Sequence, residues 1–183
     1  MDGAAPTWKE TAAQFWSGRR VLVTGHTGFK GAWLCVWLQR LGAHVTGYAL
    51  APASTPNLWD IAGAEAASVV GDIRDESRLR EALLAADPHI VMHLAAQALV
   101  RESYRDPLGT YSTNVLGTGT LLAACRELEA LQCVLVVTSD KVYENRGAGR
   151  SFVEADRLGG HDPYSSSKAC CELLTSSFRD SFF

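Results

Sequence analysis

The feature that most constrains the fold is the glycine-rich segment Thr24-Gly-His-Thr-Gly-Phe-Lys-Gly31. The residues before it, 20–24, form a short apolar and β-branched run, which predicts a buried strand. The residues after it, 29–41, are largely apolar and end at a glycine, which predicts a helix. A strand, a tight turn and a helix are therefore expected here.

Each glycine of this turn has a separate physical purpose. Gly25 permits the sharp change of direction, Gly28 lets a ligand approach the backbone, and Gly31 lets the helix pack closely on the strand. The free N–H groups at the start of the helix favour phosphate. Spacing and context together predict a dinucleotide site, whose contacts also include Thr27, Phe29 and Lys30.

Strand-like and helix-like segments alternate through the rest of the chain. Further strands are predicted over 44–49, 67–70, 89–94 and 132–138, and further helices over 75–86, over 107–131 and from 163 onward. The apolar sides of the helices are assigned to Leu79, Leu83, Leu84, Leu116, Leu121, Leu122 and Leu128. This order predicts an α/β protein with a doubly wound parallel sheet of the Rossmann type, and residues 1–183 form one domain. Ligands then bind at the carboxyl ends of the strands.

Composition excludes several classes of function. A net charge of −3 without a Lys/Arg run argues against nucleic acid and membrane surfaces. The opening residues lack the pattern of a signal peptide, and the apolar runs are too short to span a bilayer. The five cysteines have neither zinc spacing nor a CxxC pair, so we expect no metal and a reduced, cytoplasmic chain.

The predicted ends of the third and fourth strands provide further contacts for a dinucleotide. Asp72 follows the third strand and is expected to accept from the adenine amino group, with Ile73 packed on the ring. Leu94, Ala95 and Ala96 end the fourth strand, where their small size leaves room for a nicotinamide ribose.

The second strand lacks the acid that normally holds the ribose 2′-hydroxyl. No Asp or Glu occurs between Glu10 and Asp60, and no Arg or Lys occurs from 41 to 60. The candidates for a neutral contact are Tyr48, Ser54, Thr55 and Asn57. We therefore expect cofactor binding weaker than usual, so that a submicromolar dissociation constant would contradict this interpretation.

The segment Asp162-Pro-Tyr-Ser-Ser-Ser-Lys168 predicts a catalytic helix. Asp162 and the proline after it suit the first turn, and a spacing of four places Tyr164 and Lys168 on one face. The ammonium then stabilises a phenolate, which makes Tyr164 a candidate base for a sugar hydroxyl. The overlapping SxxK pattern lacks the SDN and KTG partners of penicillin-binding proteins.

A third polar cluster, Ser139, Asp140 and Lys141, follows the predicted fifth strand. A hydroxyl, a carboxylate and an ammonium at the end of a strand can hold and protonate a substrate. The position of the cluster between the glycine turn and Tyr164 makes it a candidate part of the same site.

Taken together, TGHTGFKG, GDIRD, HLAAQ, TNVLGT, TSDKVYEN and DPYSSSK resemble the extended short-chain dehydrogenase/reductase family, over about residues 15–183. Within it the chain is most similar to the nucleotide-sugar 4,6-dehydratases. TSDKVYEN has Lys141 where dTDP-glucose dehydratases usually have Glu, which favours the branch that acts on CDP-glucose. The resemblance implies NAD as cofactor, a nucleotide-sugar substrate, a homodimer formed through the last two long helices, and a cofactor contact from Thr113.

The resemblance also implies an internal redox cycle. Tyr164 takes the proton of the sugar O4, Ser139 hydrogen-bonds near O4, and Lys141 or a neighbour removes the C5 proton. Asp140 protonates the departing C6 hydroxyl. Family members continue with a domain that grips the nucleotide sugar, so we expect that domain to be lacking after Phe183 and the isolated chain to be poorly soluble. A 4-epimerase, a GDP-mannose dehydratase and a non-catalytic NAD-binding module stay open as alternatives.

Overall fold

A computed structural model describes residues 7–145, 147 and 149–183 of the chain. The strands are β1 (Arg20–Thr24), β2 (His44–Ala49), β3 (Ala67–Val70), β4 (Ile90–His93) and β5 (Cys133–Val136). The helices are α1 (Trp8–Trp16), α2 (Phe29–Arg40), α3 (Leu58–Ala62), α4 (Glu76–Ala86), α5 (Val100–Arg105), α6 (Pro107–Tyr111), α7 (Gly117–Cys125) and α8 (Pro163–Phe182). A π-helical segment (Ser112–Leu116) joins α6 to α7, and a 3₁₀ turn (Asp140–Val142) follows β5.

The five strands form one parallel sheet in the order β3-β2-β1-β4-β5. In β1, Val21 pairs with Val45 on one side and with Ile90 on the other. The chain order reverses between β1 and β4, and a crevice at the carboxyl ends of such strands is the usual ligand site of this architecture. The α/β doubly wound fold predicted from the sequence is confirmed.

Helices cover both faces of the sheet because the strands are apolar on both sides. Leu22 points to one face, where it packs with residues of α4 and α7 such as Leu83 and Leu121. Val21 and Val23 point to the other face and pack with Cys35 and Leu38 of α2. The two core clusters hold β1 rigidly, so the turn that follows it has a fixed position.

Capping side chains define where two important helices begin. Asp75 accepts from the backbone N–H of Arg78 at the start of α4, 3.1 Å away. Asp162 accepts from the backbone N–H of Ser165 at 2.9 Å and from its hydroxyl at 2.6 Å, and Pro163 is the first residue of α8. These caps confirm the predicted starts to within one residue.

The single helix predicted over 107–131 is wrong in two respects. It ends at Cys125, and the π-helical segment interrupts it. The wider turn directs Asn114 into the protein, where it is buried, and leaves Leu116 two-thirds exposed rather than on the predicted apolar side. Leu84, also assigned to an apolar face, is 43% exposed. The short helices α1, α3 and α5 were not predicted.

Candidate active site

The glycine turn after β1 is a tight backbone structure. Gly25 has a φ of +75°, and a Cβ there would lie 2.8 Å from the backbone nitrogen of Ala95. A Cβ on Gly31 would lie 2.2 Å from the carbonyl oxygen of Gly25. Gly28 is the N-cap of α2 and provides no side-chain cap. The first N–H groups of α2 are therefore available to an anion.

His26, inside the same turn, is fully buried, and the glycine pattern did not predict its structural role. Its Nε2 lies 2.7 Å from the Ser68 hydroxyl, and its ring meets Trp59 edge-on with centroids 4.6 Å apart. Its Nδ1 has no hydrogen-bond partner in the described part of the chain. Burial lowers the pKa of this imidazole. The ring fixes the glycine turn to β3 and α3.

A cleft of about 550 Å³ opens at the carboxyl ends of the strands. All fourteen residues predicted to contact a dinucleotide line it: Gly25, Thr27, Gly28, Phe29, Lys30, Gly31, Asp72, Ile73, Leu94, Ala95, Ala96, Thr113, Tyr164 and Lys168. Besides Tyr48, residues at or after the ends of β2, β3, β4 and β5 that were not predicted as contacts also line it: Ala49, Leu50, Gly71, Arg74, Ala98, Val137 and Thr138. Segments far apart in sequence therefore meet in one cavity, with a size typical of cofactor sites.

The candidates for a neutral ribose contact have different positions. Tyr48 lines the cleft, but it is fully buried and its hydroxyl donates to the carbonyl oxygen of Asp72 at 2.9 Å. Burial, together with nearby carboxylates, raises the pKa of Tyr48 to about 12. Ser54, Thr55 and Asn57 are not among the lining residues, and Asn57 instead caps α3.

Asp72 and Ile73 are more constrained than the sequence indicated. The Asp72 carboxylate accepts from Arg74 twice through the guanidinium, at 2.9 and 2.6 Å, and once from its backbone N–H at 2.9 Å. These bonds lower the pKa of Asp72. Ile73 is 5% exposed and packs so closely on Gly117 that a Cβ there would lie 2.6 Å from its Cγ2. Most of the Ile73 side chain thus belongs to the core.

His93, at the end of β4, is the centre of a buried polar chain. The Thr24 hydroxyl oxygen accepts from the backbone N–H groups of Leu94 and Ala95, both at 3.1 Å, so its own proton is donated to Nδ1 of His93 at 2.7 Å. Nε2 of His93 then carries the proton and donates to Thr118 at 3.0 Å. Burial, with a smaller contribution from the Lys168 charge, lowers the pKa of His93 to about 3.

Asn114 continues this chain of hydrogen bonds to α8. Its carbonyl oxygen accepts from the Thr118 hydroxyl at 2.6 Å. Its side-chain amide donates to the carbonyl oxygen of Gln97 and to the Ser167 hydroxyl at 2.8 Å, and Ser167 in turn donates to the carbonyl oxygen of Tyr164. The backbone at Tyr164 is therefore connected to β1 through five buried polar side chains.

Tyr164 and Lys168 lie together on the wall of the cleft. Tyr164 is half-buried, and Lys168 is buried with its Nζ donating to the carbonyl oxygen of Val137 at 3.1 Å. Burial lowers the pKa of the Lys168 ammonium. The hydroxyl of Thr138 hydrogen-bonds to the carboxylate of Glu172, one turn further along α8. These contacts fix the end of β5 against the face of α8 that carries both residues.

The polar cluster after β5 lies outside the cleft lining. Ser139 donates to the Asp140 carboxylate at 3.2 Å and accepts from the backbone N–H of Lys141 at 3.1 Å, which starts the 3₁₀ turn. Asp140 and Lys141 are exposed. Burial raises the pKa of Asp162, the cap of α8, but the hydrogen bonds from Ser165 and, to a smaller extent, the charge of Lys141 outweigh it and lower that pKa. The cluster thus contacts α8 and follows directly after Thr138, which lines the cleft.

Comparison with known proteins gives the family of this chain. The family model described as GDP-mannose 4,6 dehydratase matches residues 22–182. The chain belongs to this GDP-mannose 4,6-dehydratase family. The match includes the glycine turn from Gly25, the cluster at Ser139–Lys141 and the Tyr164/Lys168 pair, so it supports the dehydrogenase/reductase resemblance drawn from these motifs.

Individual proteins are also similar to this chain in sequence and in structure. CDP-glucose 4,6-dehydratase of Salmonella typhimurium is 50% identical over 171 residues, which cover 92% of this chain and 48% of that enzyme. A dTDP-glucose 4,6-dehydratase of Xanthomonas campestris is 33% identical, over 88% and 49%. The crystal structure of UDP-glucose 4-epimerase from Brucella ovis in complex with NAD matches with a TM-score of 0.78 at 29% identity, over 90% and 49%. The chain spans about half the length of these relatives.

Proposed function

We propose that this chain supplies the NAD-binding domain of a nucleotide-sugar 4,6-dehydratase whose substrate is CDP-glucose. One observation carries the proposal: the glycine turn and the Tyr164/Lys168 pair line the same cleft. The 50% identity to a CDP-glucose 4,6-dehydratase supports the choice of substrate. A structural neighbour, the UDP-glucose 4-epimerase from Brucella ovis solved in complex with NAD, supports the choice of cofactor.

The cleft has the features that a dinucleotide requires. A Cβ on Gly25 or Gly31 would lie within 3 Å of backbone atoms, so the tight turn requires glycine at both positions, and Gly28 at the N-cap of α2 has no side chain to obstruct a diphosphate. The start of α2 provides unpaired N–H donors, and Lys30, which lines the cleft, adds a positive charge. Ala95, Ala96 and Tyr164 line the same cleft.

In the proposed reaction the residues of the chain act mainly as general acids, general bases and hydrogen-bond donors. Bound NAD supplies a hydride acceptor for the sugar C4 and later the donor for C6. Tyr164 takes the proton of the sugar O4, and the adjacent Lys168 ammonium stabilises the phenolate. Ser139 hydrogen-bonds near O4, Asp140 protonates the departing C6 hydroxyl, and Lys141 or a neighbour removes the C5 proton.

The decisive assay incubates the chain with NAD and CDP-glucose and follows the 4-keto-6-deoxy product by its absorbance in alkali. GDP-mannose and dTDP-glucose are run in parallel, because the family model and the 33% identical relative name those sugars. Tyr164→Phe should abolish turnover, while Tyr104→Phe, at a position 67% exposed on α5, should retain it. Near-normal turnover by Tyr164→Phe would remove the proposed base.

The second candidate, an NAD-binding module without catalysis, has one observation in its favour. Asp140 and Lys141 are exposed and do not line the cleft. Calorimetric binding of NAD without any 4-keto product would support this candidate. Product formation, together with its loss on replacing Asp140 by Asn, would exclude it.

We also propose that the complete protein forms a homodimer through the segment from α6 to α7 and through α8. Leu108, Leu116 and Leu173 are 80%, 66% and 61% exposed on these elements, which leaves apolar surface available for a second copy. Sedimentation velocity tests this, since a monomer at micromolar concentration contradicts it. No helix within the described residues has the length and apolar character needed to cross a membrane.

A further inference from the structure

The end of β2 has no charged residue that could select between the two nicotinamide dinucleotides. Ala49 and Leu50 line the cleft where β2 ends. The hydroxyl of Thr27 donates to the carbonyl oxygen of Leu50 at 2.9 Å, which joins the glycine turn directly to this strand end. An Asp or Glu at such a position accepts from the ribose 2′-hydroxyl and repels a 2′-phosphate. Here residues 11–59 include no acid at all.

The charges that do line the cleft are mostly positive. Lys30, Arg74 and Lys168 are cationic, and Asp72 is the one carboxylate among the lining residues given by the structure. Asp72 is neutralised by its two guanidinium contacts with Arg74. The cleft therefore lacks the uncompensated negative charge that would exclude an additional phosphate.

Arg74 follows β3, whose last residue Val70 pairs with Ala49 at the end of β2. The backbone N–H of Gly71, three residues before Arg74, donates to the carbonyl oxygen of Ala49 at 2.8 Å. The guanidinium has five N–H donors and uses Nε and Nη2 on Asp72, so further donors are available to an anion. Arg74 is exposed and lines the cleft, and a guanidinium is a strong donor to phosphate oxygens.

We propose that the adenosine end of this cleft accepts NADP as well as NAD, with dissociation constants within about tenfold of each other, a difference of less than about 1.4 kcal/mol. The inference depends on the proposed dinucleotide site. It adds that the protein does not discriminate at the 2′ position, because Leu50 stands at the strand end where a selective acid is expected.

Isothermal titration calorimetry of the 183-residue chain with NAD⁺ and, separately, with NADP⁺ tests the inference. Two dissociation constants within about tenfold would support it. Measurable NAD⁺ binding with NADP⁺ binding more than about tenfold weaker would overturn it and leave the proposed function intact. Binding of neither dinucleotide would overturn both.

A matched pair of variants makes the test specific to charge. Leu50→Asp should weaken NADP⁺ binding at least about tenfold and leave NAD⁺ binding equal or stronger, because a carboxylate at the cleft edge repels the 2′-phosphate. Leu50→Asn, of the same size and without charge, should affect the two ligands equally. If both variants change the NADP⁺/NAD⁺ ratio alike, Leu50 does not lie at the 2′ position and the inference fails.

A second site keeps the test informative if Leu50 variants fold poorly, which circular dichroism would show. Arg74→Gln removes the guanidinium and leaves Asp72 uncompensated. It should therefore weaken NADP⁺ binding more than NAD⁺ binding. An equal effect on the two ligands would contradict the assignment of Arg74 to the phosphate.

Discussion

Acidification should destabilise this protein through His93, a residue buried in the core. His93 is 2% exposed, and burial lowers its pKa from 6.5 to about 3. In the unfolded chain the same imidazole binds a proton near pH 6.5. The unfolded state therefore binds more protons than the folded state between these two values, so the free energy of unfolding falls as the pH falls through this window.

The size of the effect follows from the two pKa values. Each unit of separation corresponds to about 1.4 kcal/mol. Lowering the pH from 7 to about 5 should therefore cost about 2 kcal/mol, and complete acidification below pH 3 about 5 kcal/mol, of unfolding free energy from His93 alone. Buried His26, whose pKa is also lowered, contributes in the same direction. Carboxylates with lowered pKa values, such as Asp156, act mainly at lower pH.

The perturbation that isolates His93 is His93→Asn. The amide oxygen of Asn can accept from Thr24 as Nδ1 does, but it does not titrate. The variant should lose about 1–3 kcal/mol at pH 7 because Thr118 loses its donor and ring packing is reduced. Urea unfolding followed by circular dichroism at several pH values between about 7 and 5 gives the slope of stability against pH.

The variant should have a slope smaller than that of the wild type by about 1 kcal/mol per pH unit, averaged over this range. His44→Asn, at an exposed position of β2, serves as the control and should retain the wild-type slope. An identical slope in His93→Asn and wild type would refute the reasoning. It would mean that His93 either is protonated in the folded protein or is solvated.

Three further outcomes are expected. Gly31→Ala should cost about 1–3 kcal/mol of stability and abolish NAD binding in calorimetry, because the new Cβ would lie 2.2 Å from the Gly25 carbonyl oxygen. The control Gly119→Ala should be tolerated, because the nearest atom to its Cβ would lie 3.4 Å away. Burial lowers the pKa of the Lys168 ammonium below 10.5, so the wild-type protein should become more stable as the pH rises towards 10.5. Lys168→Met should have a higher urea midpoint than the wild type at neutral pH and should lack this rise, and an unchanged midpoint would contradict the reasoning. Leu135→Lys should reduce association in light scattering, because it places a charge on the open edge strand β5.

Local rules explain why much of the fold could be predicted from the sequence. The strand–turn–helix around Gly25 and the start of α8 at Asp162 depend on short-range signals, namely glycine spacing, caps and proline. The fourteen residues predicted to contact a cofactor line one cleft, and all but Thr113, which only the family resemblance indicated, were predicted from the same signals and from the rule that strand ends of a parallel sheet meet at one edge.

The errors came from interactions over long distances in the sequence. A 3.6-residue period placed Leu116 on the apolar side, since it could not reveal the π-helical turn that directs Asn114 towards Ser167. No role was predicted for His93 itself, although roles were predicted for the small residues after it. Its partners Thr24 and Thr118 lie 69 and 25 residues away, so the buried hydrogen-bond chain was not visible in any single motif.

The π-helical turn also sets how this gene can change in length. A π-helical turn holds one residue more than a regular α-helical turn, so loss of one residue between Ser112 and Leu116 would regularise the turn and leave α7 in its present orientation. Thr118 would still face His93, but Asn114 would no longer be directed towards Ser167. Single-codon deletions in this turn should therefore preserve the fold and interrupt the hydrogen-bond chain to Tyr164, whereas a deletion within α7 would rotate the residues after it by about 100°.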